Sequence, residues 1–331
     1  MRRFIYARVS QIFFGDSSHA DWILEKVQRP GGIWLTCRNL WHYWRGHPTI
    51  AGITSVVIEP VYGCNLRCKT CWGGMEYVRN RPARMEWKTF TRIIDGLPSS
   101  VETVTFSLAG EPLLHEDIVR MIEYAGKAGV RVVLATNGTL LTGSLLEHIA
   151  ASPVLVVNVS VEADSDLSRE VRGVDLGRLR ANILRLSELK QPKMEIKLAL
   201  VAHGDNDAKI AQVRQQWFGL ISNFKVSPEF RFDGKDNLSV CMELWRGNMN
   251  ILTDGSVVPC CVSVLSGNHQ AIVIGNVNDR PLEDIIAGDR FTGILAGVAR
   301  GNPPDPCRRC VEFRSPHIPR RALRRSRGDN S

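Results

Sequence analysis

The sequence predicts an α/β protein built on a parallel sheet, and three observations lead to that prediction. From residue 54 to about residue 230, short β-rich apolar runs alternate with longer segments of helical periodicity. Each apolar run has the length and composition of a strand. The chain has 331 residues and is 44% hydrophobic, which is ample for a large buried core. Six such strands suit a three-quarter (β/α) barrel or an open doubly wound sheet, and periodicity does not separate the two.

The predicted elements alternate regularly along this region. Strands are expected at residues 54–59, 102–107, 131–135, 154–160, 194–201 and 223–230. Helices are expected at residues 87–96, 115–128, 142–151, 175–190 and 206–219. Loops that follow parallel strands therefore meet at one end of the sheet, where α/β enzymes place their chemistry.

The flanking regions differ in composition from this repeat. We divide the chain into a helical layer (1–50), the main domain (51–234), a small metal-stabilised domain (235–312) and a basic tail (313–331) that is predicted to be disordered. The first region should form two or three short helices, broken at Gly15 and at Pro30-Gly31-Gly32. Its four tryptophans favour a layer packed over one end of the main domain. A helix at a membrane interface, or a dock for a lipid-like substrate, is the alternative.

The bulk properties exclude several classes of protein. The sequence contains no run of about 18 apolar residues, so no membrane span is predicted. The N-terminus also lacks the features of a secretory signal, so we expect a cytoplasmic protein. The net charge is +8, and much of the excess lies in the tail. A basic tail alone names no partner. We find no RNA-binding module and expect no nucleic acid.

The nine cysteines are interpreted as metal ligands where they cluster, because cytosolic thiols are kept reduced. Cys64, Cys68 and Cys71 directly follow the first predicted strand. Three thiolates would leave one iron of a cubane cluster open to another ligand. A zinc site would need a fourth ligand nearby, yet the next histidine is His115. Cys37, outside both cysteine groups, is expected to be a small buried side chain.

The spacing Cys64-x3-Cys68-x2-Cys71 resembles the C-x3-C-x2-C signature of the radical S-adenosylmethionine (SAM) superfamily. The resemblance implies a partial (β/α)6 barrel and a [4Fe–4S] cluster whose open iron chelates the amino and carboxylate groups of SAM. It also implies that one electron cleaves SAM to methionine and a 5′-deoxyadenosyl radical, which then abstracts a substrate hydrogen atom. That electron would come from a flavodoxin or ferredoxin-type donor.

Two turns at predicted strand ends resemble SAM-binding motifs of that family. Gly110 and Glu111 lie in an Ala-Gly-Glu-Pro segment that resembles the glycine-glutamate-proline motif, which implies that Glu111 accepts a hydrogen bond from the SAM amino group. The glycine would let the backbone approach the ligand. Asn137 lies in a Thr-Asn-Gly turn and is a candidate contact to SAM or substrate, although an ordinary strand-to-helix turn explains it equally.

The next strand supplies a serine and an arginine that also resemble the family pattern. The resemblance implies that Ser160 meets the SAM ribose or carboxylate and that Arg172 pairs with the carboxylate, which a guanidinium fits well. Arg169 is the rival to Arg172. The residue before the third cysteine is often aromatic in the family and is Thr70 here, so Trp72 is the candidate for the adenine contact.

A second cysteine group resembles the C-terminal SPASM/twitch extension of radical SAM enzymes. Cys241 precedes a predicted hairpin that turns at Gly255 and ends at Cys260, and Cys307-x2-Cys310 follows later. A full SPASM domain has seven cysteines, so these four ligands imply the shorter twitch arrangement, with one auxiliary [4Fe–4S] cluster. A zinc ribbon with four cysteine ligands is the competing interpretation.

The leading functional prediction is a radical SAM oxidoreductase in which the auxiliary cluster accepts the electron left on the substrate. Similar twitch enzymes oxidise an aminocyclitol hydroxyl, and related SPASM enzymes modify peptides. Candidate bases for the substrate proton are His115, Glu162 and His203. Redox-neutral epimerisation of a sugar or peptide, with Cys261 as hydrogen donor, is the second interpretation, although we expect Cys261 to be a small buried side chain. Modification of a lipid-like substrate and a non-catalytic zinc-ribbon RNA-binding protein are the remaining alternatives.

Overall fold

A computed structural model describes residues 30–69, 71, 83–202, 213, 215–217, 219–221, 223–228, 241–265, 269–305 and 307–309. The strands are β1 (Ser55–Ile58), β2 (Val61–Tyr62), β3 (Ala83–Arg84), β4 (Thr103–Phe106), β5 (Arg131–Thr136), β6 (Val154–Val161), β7 (Glu195–Ala202), β8 (Asn223–Pro228), β9 (Asn248–Ile251), β10 (Ser256–Val258) and β11 (Gly275–Asn276). The α-helices are α1 (Pro30–Arg45), α2 (Trp87–Asp95), α3 (Ile118–Lys127), α4 (Gly143–Ala151), α5 (Ser165–Leu167), α6 (Leu176–Leu189), α7 (Cys261–Leu265), α8 (Leu282–Ala287) and α9 (Asp289–Ala299).

Six strands form the parallel sheet that the sequence predicts, in the order β1-β4-β5-β6-β7-β8. Every neighbouring pair is parallel. Helices α2, α3, α4 and α6 connect successive strands, so the core is a partial (β/α)6 barrel and not a doubly wound sheet. All six strand predictions and four helix predictions are confirmed to within a few residues. The helix expected at 206–219 lies mostly outside the described residues.

The two faces of the sheet differ in burial, as period-2 alternation requires. One face lies under the helices, and Phe106 of β4, for example, packs against Phe90 of α2 with ring centroids 6.0 Å apart. The opposite face is only partly buried and lines the inside of the barrel. Its partly exposed residues are Ser55, Val57, Thr105, Val133, Ala135, Asn158, Ser160, Lys197 and Ala199.

The C-terminal hairpin extends the same sheet. Strand β9 pairs in parallel with β1, with Ser55 opposite Asn248, and β10 and β11 follow in antiparallel order. The predicted turn is confirmed at Asp254-Gly255, where Gly255 has a positive φ of +85°. The Asp254 carboxylate accepts a hydrogen bond from the Ser256 amide at 2.9 Å. The hairpin is therefore fastened directly to the first barrel strand.

Helix α1 packs beside this hairpin. It begins at Pro30 and includes both following glycines, because proline suits the first turn of a helix, so the break expected across Pro30-Gly31-Gly32 is only a helix start. The buried Asn39 side chain donates to the Gly52 carbonyl at 2.8 Å and accepts from the Ala51 amide at 2.6 Å. Tyr43 packs edge-on against Trp245, with ring centroids 5.6 Å apart. These contacts hold α1 in one orientation on the barrel.

Candidate functional site

The first cysteine group lies on the loop that leaves β1, as predicted. Strand β2 follows immediately and pairs with β3, so both ends of the segment that contains the cysteines are held in a small second sheet. The Leu66 amide donates to the Cys64 sulfur at 3.4 Å, and the Cys71 amide donates to the Cys68 carbonyl at 3.2 Å. These two hydrogen bonds form tight turns in the loop that carries the three thiols.

The thiols share one electrostatic environment. Partial burial raises the pKa of Cys64, and burial raises the pKa of Cys68 to about 11, with neighbouring Cys71 adding to both effects. Arg172 acts in the opposite direction and lowers the pKa of Cys68. Within the described part of the chain no three metal-binding side chains are arranged closely enough to hold a single metal ion. Three soft thiol donors on one loop, with N–H groups directed at a sulfur, nevertheless fit an iron–sulfur cluster.

Gly110 and Glu111 join the next strand end to this loop. A Cβ atom at Gly110 would lie 1.9 Å from the Val61 carbonyl oxygen and 2.7 Å from that of Gly63, so only glycine fits. The Glu111 amide donates to the Gly63 carbonyl at 2.9 Å. Glycine is therefore needed because the backbone at residue 110 lies against the backbone that leads into the cysteine loop. Leu108, just before, has φ 117, a strained backbone conformation for a residue with a side chain.

The Glu111 carboxylate is buried and well satisfied. One oxygen accepts from the Thr136 hydroxyl at 2.7 Å and from the Leu113 amide at 3.1 Å, and the other accepts from the Asn137 amide at 2.7 Å. Burial raises the pKa of Glu111, and these hydrogen bonds lower it. In this arrangement Glu111 connects the ends of β4 and β5. A contact with the SAM amino group remains a prediction.

Asn137 is directed at the cysteine loop. Its side-chain nitrogen, Nδ2, lies 3.8 Å from the Cys64 sulfur and donates to the Asn65 side-chain oxygen at 2.9 Å. Its own side-chain oxygen accepts from the Thr139 amide at 2.9 Å. The turn after β5 is therefore more than a connection between strand and helix, because it contacts the loop that carries the first cysteines.

Arg172 and Glu162 form a buried ion pair at the end of β6. The Arg172 Nε atom lies 2.6 Å from the Glu162 carboxylate, and the two side chains are 13% and 0% exposed. Arg172 ends a π-helical turn, Ser168–Arg172, and the carbonyl of Val171 in that turn accepts from the Lys69 amide at 2.8 Å. Arg172 thus lies beside the cysteine loop, as a SAM contact would require. Glu162, predicted as a base, is engaged in holding Arg172.

The remaining predicted residues fall in different places. Ser160 lies on the inner face of the barrel and is partly exposed, opposite Ala199 of β7. His115 is buried, with one ring nitrogen 3.0 Å from the Met85 carbonyl and the other accepting from the Asp117 amide at 3.1 Å. Both ring nitrogens of His115 therefore contact the backbone, and its role as a base stays a prediction. Trp72, Thr70, His203 and Cys310 lie outside the described residues.

A buried glutamate at the end of β1 was missed by sequence reasoning. Glu59 is 1% exposed and accepts from the Ala109 amide at 3.2 Å and from the Thr253 amide at 3.4 Å. Burial raises its pKa to about 7. Its carboxylate therefore connects β1, the Gly110 loop and the C-terminal hairpin. The only sequence signal was a charged residue at the end of an apolar strand.

The second cysteine group is only partly described. Cys241 and Cys307 are buried, and burial together with Cys261, Cys241 and Cys307 raises the pKa of Cys260 well above its ordinary value. Those four thiols are therefore neighbours. Cys261 and Cys37 are both exposed, so the expectation that they are small buried side chains is wrong. Cys261 begins α7 and is exposed, whereas Cys260 is only partly exposed.

Two family models match the chain. The radical SAM superfamily model matches residues 58–216, and a model described as an iron–sulfur cluster-binding domain, SPASM, matches residues 241–311. The chain therefore belongs to the radical SAM superfamily. Within it, the chain combines a radical SAM domain with a C-terminal SPASM-type domain, so its cofactors are SAM, a [4Fe–4S] cluster and an auxiliary iron–sulfur cluster.

Relatives with this architecture differ in what they act on. An AdoMet-dependent heme synthase of Oleidesulfovibrio alaskensis is 29% identical over 45% of this chain, and the match spans only 38% of that relative's length. A PqqA peptide cyclase of Streptomyces rochei is 23% identical over 82% of this chain and 85% of its own. Streptococcus suis SuiB bound to the precursor peptide SuiA superposes with a TM-score of 0.65 at 17% identity, over 95% of this chain and 87% of SuiB. That similarity shows a shared fold.

Proposed function

We propose that the enzyme oxidises its substrate by hydrogen-atom abstraction, that a base then takes a proton from the substrate radical, and that the auxiliary cluster accepts the remaining electron. The supporting observation is that both cysteine groups are attached to one sheet, on strands that are separated only by β9. The first cysteine loop follows β1, and Cys260 follows the hairpin whose strand β9 pairs with β1. A four-cysteine auxiliary cluster has no open iron, which suits electron transfer better than substrate chelation.

The residues around the first cysteines would position SAM. When bound, the cluster and SAM supply a 5′-deoxyadenosyl radical. Cys64, Cys68 and Cys71 would hold the cluster, and Arg172, kept in place by Glu162, would pair with the SAM carboxylate. Asn137 and Ser160 would complete the contacts at the barrel mouth, and Glu111 would face the SAM amino group. The partly exposed inner face of the barrel would receive the substrate.

A peptide is the substrate class that we favour. The heme synthase match is confined to less than half of this chain, whereas the peptide cyclase match extends through most of it. Substrate choice depends on the surfaces of both domains, so relatives that match both domains are the better guide. The precursor peptide bound by SuiB, a protein of the same fold, also supports this choice.

Variants of the auxiliary cysteines test whether the first cluster cleaves SAM while the auxiliary cluster accepts the substrate electron. With reconstituted enzyme and candidate precursor peptides, we expect the parent to form a product that has lost two hydrogen atoms by mass. Cys307→Ala should lower iron from about eight to about four atoms per chain, and should still cleave SAM, yet should form no oxidised product. Cys37→Ala is the matched control and should behave as the parent. An undiminished yield of oxidised product from Cys307→Ala would refute the electron-acceptor role.

Epimerisation is the second candidate because the Cys261 thiol is exposed. In that reaction Cys261 would return a hydrogen atom to the opposite face of the substrate radical, and the product would keep the substrate's mass. In deuterated water the epimerised product would carry one deuterium from the exchanged thiol. Cys261→Ala separates the two functions, because oxidation needs no thiol donor. Undiminished product in that variant would eliminate epimerisation.

A further inference from the structure

Helix α1 carries an exposed face of unusual composition. Large apolar side chains are exposed at four positions in the described part of the chain, and three of them are Trp34 (60%), Trp41 (54%) and Trp44 (46%) on α1. At 3.6 residues per turn these three tryptophans lie within about 80° of the helix circumference. We call the exposed residues of this side the tryptophan face; its members are Trp34, Cys37, Arg38, Trp41, Trp44 and Arg45.

The tryptophan face is presented by a firmly held helix. The opposite side of α1 is attached through the two hydrogen bonds of Asn39 and through the packing of Tyr43 against Trp245, whose indole N–H donates to the His47 carbonyl at 3.0 Å. The helix therefore has an inner side that packs on the barrel and an outer side that does not. Helix α1 thus packs on the main domain, while its three tryptophans lie on the outer, exposed side.

We propose that the tryptophan face docks the enzyme on an anionic lipid bilayer. Tryptophan prefers the boundary between lipid headgroups and acyl chains, because its ring is apolar and its N–H is polar. The cations Arg38 and Arg45 lie among the tryptophans, with the Arg38 guanidinium 5.1 Å from the Trp34 ring centroid. The helix contains no aspartate or glutamate. A surface helix that combines aromatic residues with arginines and lacks acids matches a negatively charged membrane surface.

Charge argues against a second copy of the chain as the occupant. A symmetric dimer through this face would bring the patch that contains Arg38 and Arg45 of one copy against the same patch of the other, and the four like charges would repel. An anionic headgroup layer instead neutralises both. In the described part of the chain no helix is long and apolar enough to cross a membrane. The proposed contact lies in the plane of the bilayer surface and needs no such helix.

Vesicle flotation of the reconstituted enzyme tests this proposal without reference to its catalysis. We expect the enzyme to float with vesicles of one part phosphatidylglycerol to two parts phosphatidylcholine, and to bind neutral phosphatidylcholine vesicles more weakly. Trp34→Gln/Trp41→Gln/Trp44→Gln should reduce the partition coefficient at least about tenfold. Arg38→Gln/Arg45→Gln should reduce it about twenty-fivefold for the anionic vesicles alone, at about fivefold per arginine.

Matched controls distinguish binding through the tryptophan face from non-specific hydrophobic or electrostatic binding by other parts of the surface. Leu189→Gln removes the other exposed apolar side chain, and Arg290→Gln/Arg300→Gln removes two exposed charges elsewhere; both should bind as the parent does. Iron content and thermal unfolding should be unchanged in every variant, because the replaced side chains are at the surface. Failure of the parent to float with anionic vesicles would overturn the proposal. So would undiminished flotation of the triple tryptophan variant, or a dimer in solution that this variant abolishes.

Discussion

Replacement of Gly110 by alanine should separate the two loops of the proposed SAM site. The added Cβ would lie 1.9 Å from the Val61 carbonyl oxygen, whereas real Cβ contacts are essentially never below 3.0 Å. The loops must therefore move apart by about 1 Å, because the obstacle is backbone, which has no alternative rotamer. The movement also stretches the 2.9 Å hydrogen bond from the Glu111 amide to the Gly63 carbonyl.

A displacement of this size has a large expected effect on SAM cleavage. A misplacement of about 1 Å at a reacting centre costs roughly a hundredfold in rate. We therefore expect Gly110→Ala to form 5′-deoxyadenosine about a hundredfold more slowly than the parent enzyme in an anaerobic assay with dithionite and SAM. The strain and the weakened bond should also cost about 2–4 kcal/mol of stability.

Gly293→Ala is the matched control for this experiment. Gly293 lies in α9, where an added Cβ meets nothing within 4 Å. Alanine should be neutral or stabilising there, because it is the better helix former. If Gly110→Ala cleaves SAM as fast as the parent and as Gly293→Ala, the close approach of the two loops does not position SAM, and our description of the site is incorrect.

Three further predictions concern neighbouring residues. Arg172→Met should cost about 3–5 kcal/mol in chemical denaturation because it leaves the Glu162 charge buried, while Arg172→Met/Glu162→Gln should recover most of that loss; a double variant as unstable as the single one would contradict the pairing. Leu108→Gly should melt above Leu108→Ala, reversing the usual order, because glycine relieves backbone strain of about 1–3 kcal/mol; the opposite order would show that no strain is stored there. Burial raises the pKa of Glu59 to about 7 from its ordinary 4.5, so its stabilising contribution is fully present below about pH 4.5 and is lost as the pH rises through 7. The unfolding free energy of the parent, measured relative to Glu59→Gln, should therefore fall by about 3 kcal/mol between pH 4.5 and 8, and a constant difference would refute the assignment.

The barrel could be predicted from the sequence because its signals are local. Each barrel strand is a short apolar run and each helix a longer amphipathic one, so β1 and the strands β4 to β8 were located to within a few residues, while the two-residue strands β2 and β3 were not predicted. The choice of a barrel over an open sheet came from the cysteine spacing and not from periodicity. The carboxyl ends of parallel strands meet at one edge of the sheet. Once each loop was assigned to such an end, Cys64, Glu111 and Arg172 were therefore predicted to lie close together.

The missed features all depend on contacts between residues that are distant in sequence. The parallel pairing of β9 with β1 joins segments about 190 residues apart, as Ser55 opposite Asn248 shows, and no local pattern signals it. The role of Glu59 depends on amides from two other loops. Composition did not show which side of α1 faces the barrel, because that depends on where Asn39 and Tyr43 attach to it.

The measurement that tests the central claim most directly is SAM cleavage by the anaerobically reconstituted enzyme, with its metal content determined on the same sample. We predict about eight iron atoms per chain, as two cubane clusters require, and formation of 5′-deoxyadenosine and methionine on reduction. Cys64→Ser should lose about half of the iron and form neither product. A protein that binds zinc instead of iron, or a Cys64→Ser variant that cleaves SAM as the parent does, would contradict the account.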